Sequence, residues 1–311
     1  MKSIIIAEHL SKDFKDVKAV TDLNLHLDKG EIYGFLGLNG AGKTTTIRML
    51  LGMIRPSEGN SYINGIKVNS YHNEIWKKVG YLVEIPYSYP NLSVKENLEI
   101  IRRLRFIKDN RSVDRIIEKL QLQRYSNRKA KHLSQGNKQR LGLAKALIHQ
   151  PEILILDEPA SGLDPSGIHD VREMLIDMAA QYGVTIFISS HILGEVSRFA
   201  SRIGIIHHGK LVRELKKHEL EILCEKQLHV QARDLTKAVS IIRSGGYNGC
   251  NLSGDKIIIK DKEAISKPEE ISRLLVNNNC PPTCIHVAEE NLESFFLRTI
   301  KTNGGSNEMF L

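Results

Sequence analysis

Short uninterrupted apolar runs alternate with longer stretches of mixed polarity along this chain, a pattern that predicts buried parallel strands joined by helices. Ile153-Leu154-Ile155-Leu156 is apolar at four successive positions, and Ile186-Phe187-Ile188 repeats the pattern before Ser189-Ser190. Strands apolar on both sides suit the middle of a parallel sheet covered on both faces. Glu31-Ile32-Tyr33-Gly34-Phe35-Leu36 and Val79-Gly80-Tyr81-Leu82-Val83 read as two further strands. Helices are predicted from Thr45 to Met53 and from Leu141 to Leu147, and Ser93-Val94-Lys95-Glu96 is a capping box that opens another.

Beyond Leu215 the elements become shorter and change order. The expected sequence is β-α-β-β-α-β: Gln227 to Ala232, Leu235 to Arg243, Tyr247 to Leu252, Lys256 to Lys260, Pro268 to Leu275 and Thr283 to Val287. That order is ferredoxin-like. A last helix is expected from Leu292 to Ile300, and Asn303-Gly304-Gly305-Ser306 opens a tail expected to be mobile. The domain expectation is therefore 1–215, 216–302 and a tail over 303–311.

Composition narrows the class without naming a function. The 311 residues are 41% hydrophobic and 26% charged, as in ordinary globular proteins. The apolar runs fall far short of the ~20 residues a membrane-spanning helix needs, and Ile4-Ile5-Ile6-Ala7 is too short for a secretory signal. Four cysteines, Cys224, Cys250, Cys280 and Cys284, form no dense framework, which suits a reduced cytosolic setting. The net charge of +8 is spread along the chain rather than gathered in a block. It reads as a solvated surface, with no nucleic acid as partner.

The first chemical signal is Gly37-Leu38-Asn39-Gly40-Ala41-Gly42-Lys43-Thr44, followed by Thr45. It completes G-x-x-x-x-G-K-[ST] between a strand and a helix, the setting in which backbone N–H groups cradle phosphates. Lys43 can reach the β- and γ-phosphates of ATP or GTP, and the Thr44 hydroxyl can ligate Mg²⁺. The second signal is Asp157-Glu158, which leaves the carboxyl end of an apolar strand, where ligands of parallel sheets bind. Asp157 is expected to hold Mg²⁺ and Glu158 to take the proton of an attacking water. Cys280-Pro-Pro-Thr-Cys284 with His286 has metal-like spacing, but a fourth ligand is missing and free thiols are the expected reading.

Three further stretches carry a family resemblance. Leu133-Ser134-Gln135-Gly136-Asn137-Lys138-Gln139-Arg140 resembles the signature of the ATP-binding cassette (ABC) ATPases, Ser161-Gly162-Leu163-Asp164-Pro165 their D-loop, and His191 their switch histidine. The resemblance implies an α/β P-loop domain, with a mixed sheet core and a helical subdomain, that hydrolyses ATP with Mg²⁺. It also implies a head-to-tail dimer with a second copy, in which Ser134 and the Gly136 backbone grip the γ-phosphate held by the other copy. Ser134 would cap a helix in either case. His132, His207 and His208 are read as surface or turn residues. Phe14 occupies the place of an aromatic that stacks on adenine, and a Phe anchoring its strand in the core is the other reading.

One position departs from the common form. Where most ABC ATPases carry glutamine, this chain has Glu84. A carboxylate can bind Mg²⁺, yet near phosphates it adds repulsion on the order of 3 kcal/mol per charge at ~5 Å for a dielectric of about 20. ATP binding is therefore expected to depend strongly on the metal. Glu84, with the signature, is similar to the ATPase subunits of bacitracin- and lantibiotic-resistance exporters. That resemblance implies a separate transmembrane permease docking near Ile85-Pro-Tyr-Ser-Tyr-Pro-Asn-Leu92, and a peripheral position on the inner face of the cell membrane. The ATPase subunit of another ABC exporter or of an importer, or a soluble ABC protein that takes no part in transport, is the alternative; a P-loop kinase would need neither the signature nor His191.

Overall fold

The computed structural model describes residues 3–69, 73–84, 86–223, 226–289, 295–296 and 298–299. The tail over 303–311, Cys224, Ile85 and most of the helix expected between Leu292 and Ile300 lie outside these residues. The chain divides into two compact units, with limits after Lys217 and after Arg298, so that Thr299 belongs with the first.

The first unit contains two sheets. β1 (Ser3–Phe14), β2 (Val17–Asp28), β4 (Glu58–Ile63) and β5 (Ile66–Lys67) form an antiparallel sheet in the order β2-β1-β4-β5. The second sheet holds β3 (Ile32–Leu36), β6 (Val79–Leu82), β7 (Ile153–Asp157), β8 (Thr185–Ser190), β9 (Arg202–His207) and β10 (Lys210–Lys216). Its order is β10-β9-β3-β8-β7-β6, parallel throughout except for β10 at one edge. The apolar runs account for this: every residue of β3, β7 and β8 is buried. Tyr33 stacks on Phe187 at 5.6 Å, and Phe35 meets the same ring at 5.3 Å.

Helices complete the unit. α1 (Lys43–Leu50) packs Ile47, Met49 and Leu50 into the core shared with β1 and β2. α2 (Val94–Leu104), α3 (Ser112–Lys119) and α4 (Gln135–Leu147) pack on one another. α5 (Pro165–Tyr182) precedes β8 and α6 (Leu193–Val196) follows it. The capping box at Ser93 forms in both directions: the Glu96 N–H donates to Ser93 Oγ, and the Ser93 N–H to Glu96 Oε2. Burial places α4 six residues earlier than its leucine-rich run suggests, because Ser134 caps it and Gln139 is already buried.

α7 (Lys217–Leu223) begins at the first of these limits. The second unit sheet is antiparallel, in the order β12-β13-β11-β14, from β11 (Lys226–Ala232), β12 (Cys250–Ser253), β13 (Lys256–Ile259) and β14 (Pro282–Glu289). α8 (Leu235–Ser244), α9 (Lys262–Ser266) and α10 (Pro268–Asn277) supply its helices. Leu228, Val230, Ile242, Ile257, Ile271 and Leu275 form its core. Two details differ from the sequence expectation. β12 starts at Cys250 rather than Tyr247, because Gly246 turns the chain at φ +97°. The short α9 adds a helix to the expected order; Asp261 caps it by accepting from the Glu263 N–H. Among the described residues, no helix is long and apolar enough to cross a membrane.

Candidate nucleotide-hydrolysis site

The loop after β3 is held close to its neighbours, and that closeness explains its glycines. A Cβ on Gly42, which has φ +106°, would lie 2.6 Å from the Ala19 carbonyl oxygen. A Cβ on Gly37 would lie 2.7 Å from the Ile206 carbonyl oxygen. Neither position has room for a side chain. The Lys43 ammonium folds back along this loop, donating to the Gly37 carbonyl at 2.8 Å and the Leu38 carbonyl at 3.1 Å. It also stands 3.4 Å from Glu158 Oε1.

The three neighbouring strands deliver the remaining groups to one edge. Their registers place Leu36 beside Ser190, and Asp157 beside Ser189. Thr44 Oγ1 donates to Asp157 Oδ2 at 2.7 Å, and Ser189 Oγ donates to Asp157 Oδ1 at 2.5 Å. One buried carboxylate beside one hydroxyl suits Mg²⁺, which takes few protein ligands and fills its shell with phosphate and water. Glu158, at φ +51°, donates its N–H to the Ser189 carbonyl and hydroxyl oxygens. Its Oε2 is hydrogen-bonded to His191 Nδ1.

These groups border an open cleft of about 680 Å³. Asn39, Gly40, Gly42, Lys43, Thr44 and Thr45 line it, together with Glu84, Asp157, Glu158 and His191. Gly37, Leu38 and Ala41 shape the loop from behind, and Ala41 accepts from the Gly209 N–H. Ser134 and Gly136 stand apart from this lining. Ser134 is exposed and caps α4 by accepting from the Asn137 N–H at 3.3 Å. Gly136 abuts the next loop, where an added Cβ would sit 3.3 Å from the Gly162 carbonyl oxygen. Phe14 closes the β1–β2 turn with its ring 45% exposed, so it is no core anchor. It also lies outside the cleft lining, where Val17, Lys18 and Ala19 form the wall.

Three contributors were not legible in the sequence. Arg48, in the last turn of α1, donates to Glu84 Oε1 at 2.6 Å. His208 sits in a turn as expected, but that turn borders the cleft, and its ring lies 4.0 Å from that of His207. Burial, then the His208 charge, lowers the His207 pKa. Gln139 reaches from α4 to the backbone of Glu158 and Pro159.

The loop after Glu84 is pinned by two helices. Buried Asn97 accepts from the Tyr89 N–H and donates to the Leu92 and Ser93 carbonyls. Lys145 donates to the Tyr87 carbonyl and Ser88 Oγ, and burial lowers its pKa to about 8. Tyr87 stays 79% exposed, meeting Tyr89 edge to face. In the second unit Cys280 is buried, while Cys284 is exposed with its sulfur 3.6 Å from His286 Nδ1. Among the described residues, no three His, Cys, Asp or Glu side chains gather as a metal-binding group.

Residues 20–161 match the ABC transporter family model. The chain is 39% identical over 301 residues to the bacitracin transport ATP-binding protein BcrA of Bacillus licheniformis, covering 96% of this chain and 98% of that one. The chain belongs to the ABC transporter ATP-binding family. The lantibiotic transport ATP-binding protein SrtF of Streptococcus pyogenes is 34% identical, covering 73% of this cassette protein and 98% of its own length. Among solved structures, the dimeric ATP-binding cassette MJ0796, in a post-hydrolysis state bound to ADP and Pi, is similar with a TM-score of 0.65 and 26% identity. It covers 69% of this chain and 99% of its own. This cassette is thus an ATP-hydrolysing, ATP-binding subunit of an ABC transporter.

Proposed function

We propose that this subunit powers the removal of a peptide antibiotic of the bacitracin or lantibiotic class through a separate transmembrane permease. The observation that carries the reading is the likeness to BcrA, which runs through both units rather than the cassette alone. Glu84, in the position where the family resemblance places glutamine, supports it. The subunit works on the inner face of the cell membrane, with the loop pinned by Asn97 and Lys145 as the permease contact. Its exposed tyrosines suit a protein interface.

Two copies pair head to tail around two ATP molecules. Lys43 would meet the β- and γ-phosphates, and Thr44 and Asp157 would hold Mg²⁺, which would supply neutralisation of phosphate charge. Glu158 takes a proton from the attacking water, and His191 holds that carboxylate while facing the γ-phosphate. Ser134 and the Gly136 amide of a second copy close each site, in keeping with the exposure of Ser134 and the place of both outside the cleft lining of their own chain. Phe14, outside the cleft lining but paired with Val17 of its wall, is proposed to stack on adenine from the β1–β2 turn. The ATPase domain is proposed over 1–215 and the accessory domain over 216–302, close to the unit limits after Lys217 and Arg298. The second unit is read as ferredoxin-like, supported by its strand order and its antiparallel pairing.

The test is a deletion strain challenged with bacitracin and with lantibiotics. The expected result is a several-fold lower inhibitory concentration for one class, restored by the wild-type gene and not by Glu158→Gln. Unchanged sensitivity to both classes overturns the reading.

A further inference from the structure

We propose that Gln139 is a positioning residue for hydrolysis: it fixes the Glu158 carboxylate by holding the backbone carbonyls of Glu158 and Pro159. The proposal rests on the reading of Glu158 as the group that activates water.

Gln139 lies on α4 five residues beyond the Ser134 cap, and it is 3% exposed. Its Nε2 donates to the Glu158 carbonyl and to the Pro159 carbonyl, each at 3.1 Å. Both partners are acceptors, so the amide orientation is settled by chemistry: only the nitrogen end has hydrogens to give. Both hydrogens of that nitrogen are used.

What they hold is a backbone under strain. Glu158 has φ +51°, in the left-handed region that residues with a Cβ adopt rarely. It also precedes Pro159, and a residue before proline is driven toward extended conformations. Such a conformation persists only where its surroundings determine it. Here the Glu158 N–H is held by Ser189, and the carbonyl on the other side by Gln139. The side chain is then aimed between Lys43 and His191. Releasing the carbonyl side lets the residue relax and carries the carboxylate away from the water it must activate.

The test uses the full chain with Gln139→Met, which keeps the length and loses the donor, and Gln139→Asn, which keeps the amide one methylene short. Melting temperature establishes that each variant is folded. For both, kcat is expected to fall on the order of 10- to 100-fold, as for angstrom-scale misplacement of a reacting group. The KM for ATP is expected to change less than about twofold, since uniform binding is untouched. Gln139→Met is further expected to accumulate an ATP-bound dimer on size exclusion, as a slow hydrolase should. Wild-type turnover overturns the proposal, and so does slow turnover with no ATP-bound dimer, which marks a merely structural role. Glu158→Gln serves as the control. If it too remains monomeric with ATP, the dimer reading fails, and the split between kcat and KM alone decides on Gln139.

Discussion

Arg48 and Glu84 form an ion pair at 2.6 Å, joining the helix of the phosphate loop to the residue that precedes the proline- and tyrosine-rich loop. The carboxylate at this position therefore borders the nucleotide cleft already partnered by a cation. Repulsion toward phosphate, expected from Glu84 alone, is countered by a guanidinium.

Arg48→Ala unmasks that charge. Both side chains are more than a third exposed, which limits the effect to about 1 kcal/mol, or roughly fivefold in ATP affinity. The loss should be largest at low Mg²⁺ and shrink as Mg²⁺ rises. Adding Glu84→Gln should remove it, and Glu84→Gln alone should lower the Mg²⁺ dependence. Fluorescent-nucleotide titrations across a Mg²⁺ series read all three, and equal Mg²⁺ dependence in wild type and Glu84→Gln refutes the account.

Glu158→Gln should slow hydrolysis by a factor on the order of 10² to 10⁴ while leaving ATP bound, as the role proposed for Glu158 as proton acceptor requires. Ser134→Arg should also stop hydrolysis, but by blocking the partner site, so ATP affinity of the isolated subunit stays at wild type. Phosphate release and equilibrium binding distinguish the two. Hydrolysis surviving in Ser134→Arg would rule out the shared site.

Gly42→Ala places a Cβ against the Ala19 carbonyl in a backbone conformation of φ +106°. Strain of this kind costs on the order of 1–3 kcal/mol. The variant should lose ATP binding and show a lower unfolding midpoint, whereas Gly40→Ala, with nothing within 4 Å, should suffer only the conformational part.

His149 gives the first unit a pH-dependent stability. Burial lowers its pKa to about 4, with the Arg105 charge adding, while Nε2 hydrogen-bonds to the Val79 carbonyl. A base with a lowered folded pKa contributes stability in full above its unfolded value near 6.5 and loses it as pH falls through 4. Up to about 3 kcal/mol should disappear across that window. His149→Gln keeps the donor without the titration, so urea midpoints from pH 7 to 4 should decline less steeply than in wild type. Parallel slopes would assign the acid sensitivity elsewhere.

The central strands β3, β7 and β8 are readable because short uninterrupted apolar runs leave few options other than a doubly covered strand, whereas β10 at the edge gives no such run. Lys43, Thr44, Asp157 and His191 were readable for a related reason: each leaves a strand end or begins a helix within a local motif. Contacts made across long sequence separations left no such trace. Arg48 meets Glu84 thirty-six residues away, and Gln139 meets Glu158 nineteen residues away. Each depends on how sheet and helices pack, which no local spacing encodes. The start of β12 was misplaced for a local reason, since Gly246 takes a turn conformation that an aromatic-led run conceals.

The ladders that align Leu36 with Ser190 and Asp157 with Ser189 also set limits on how the gene can change. Deleting or inserting one codon inside β7 would slide Asp157 by about 3.3 Å and turn it to the opposite face of the sheet. Length variation should therefore collect in the turns at the other end of these strands, leaving the edge that carries the phosphate chemistry free of insertions and deletions.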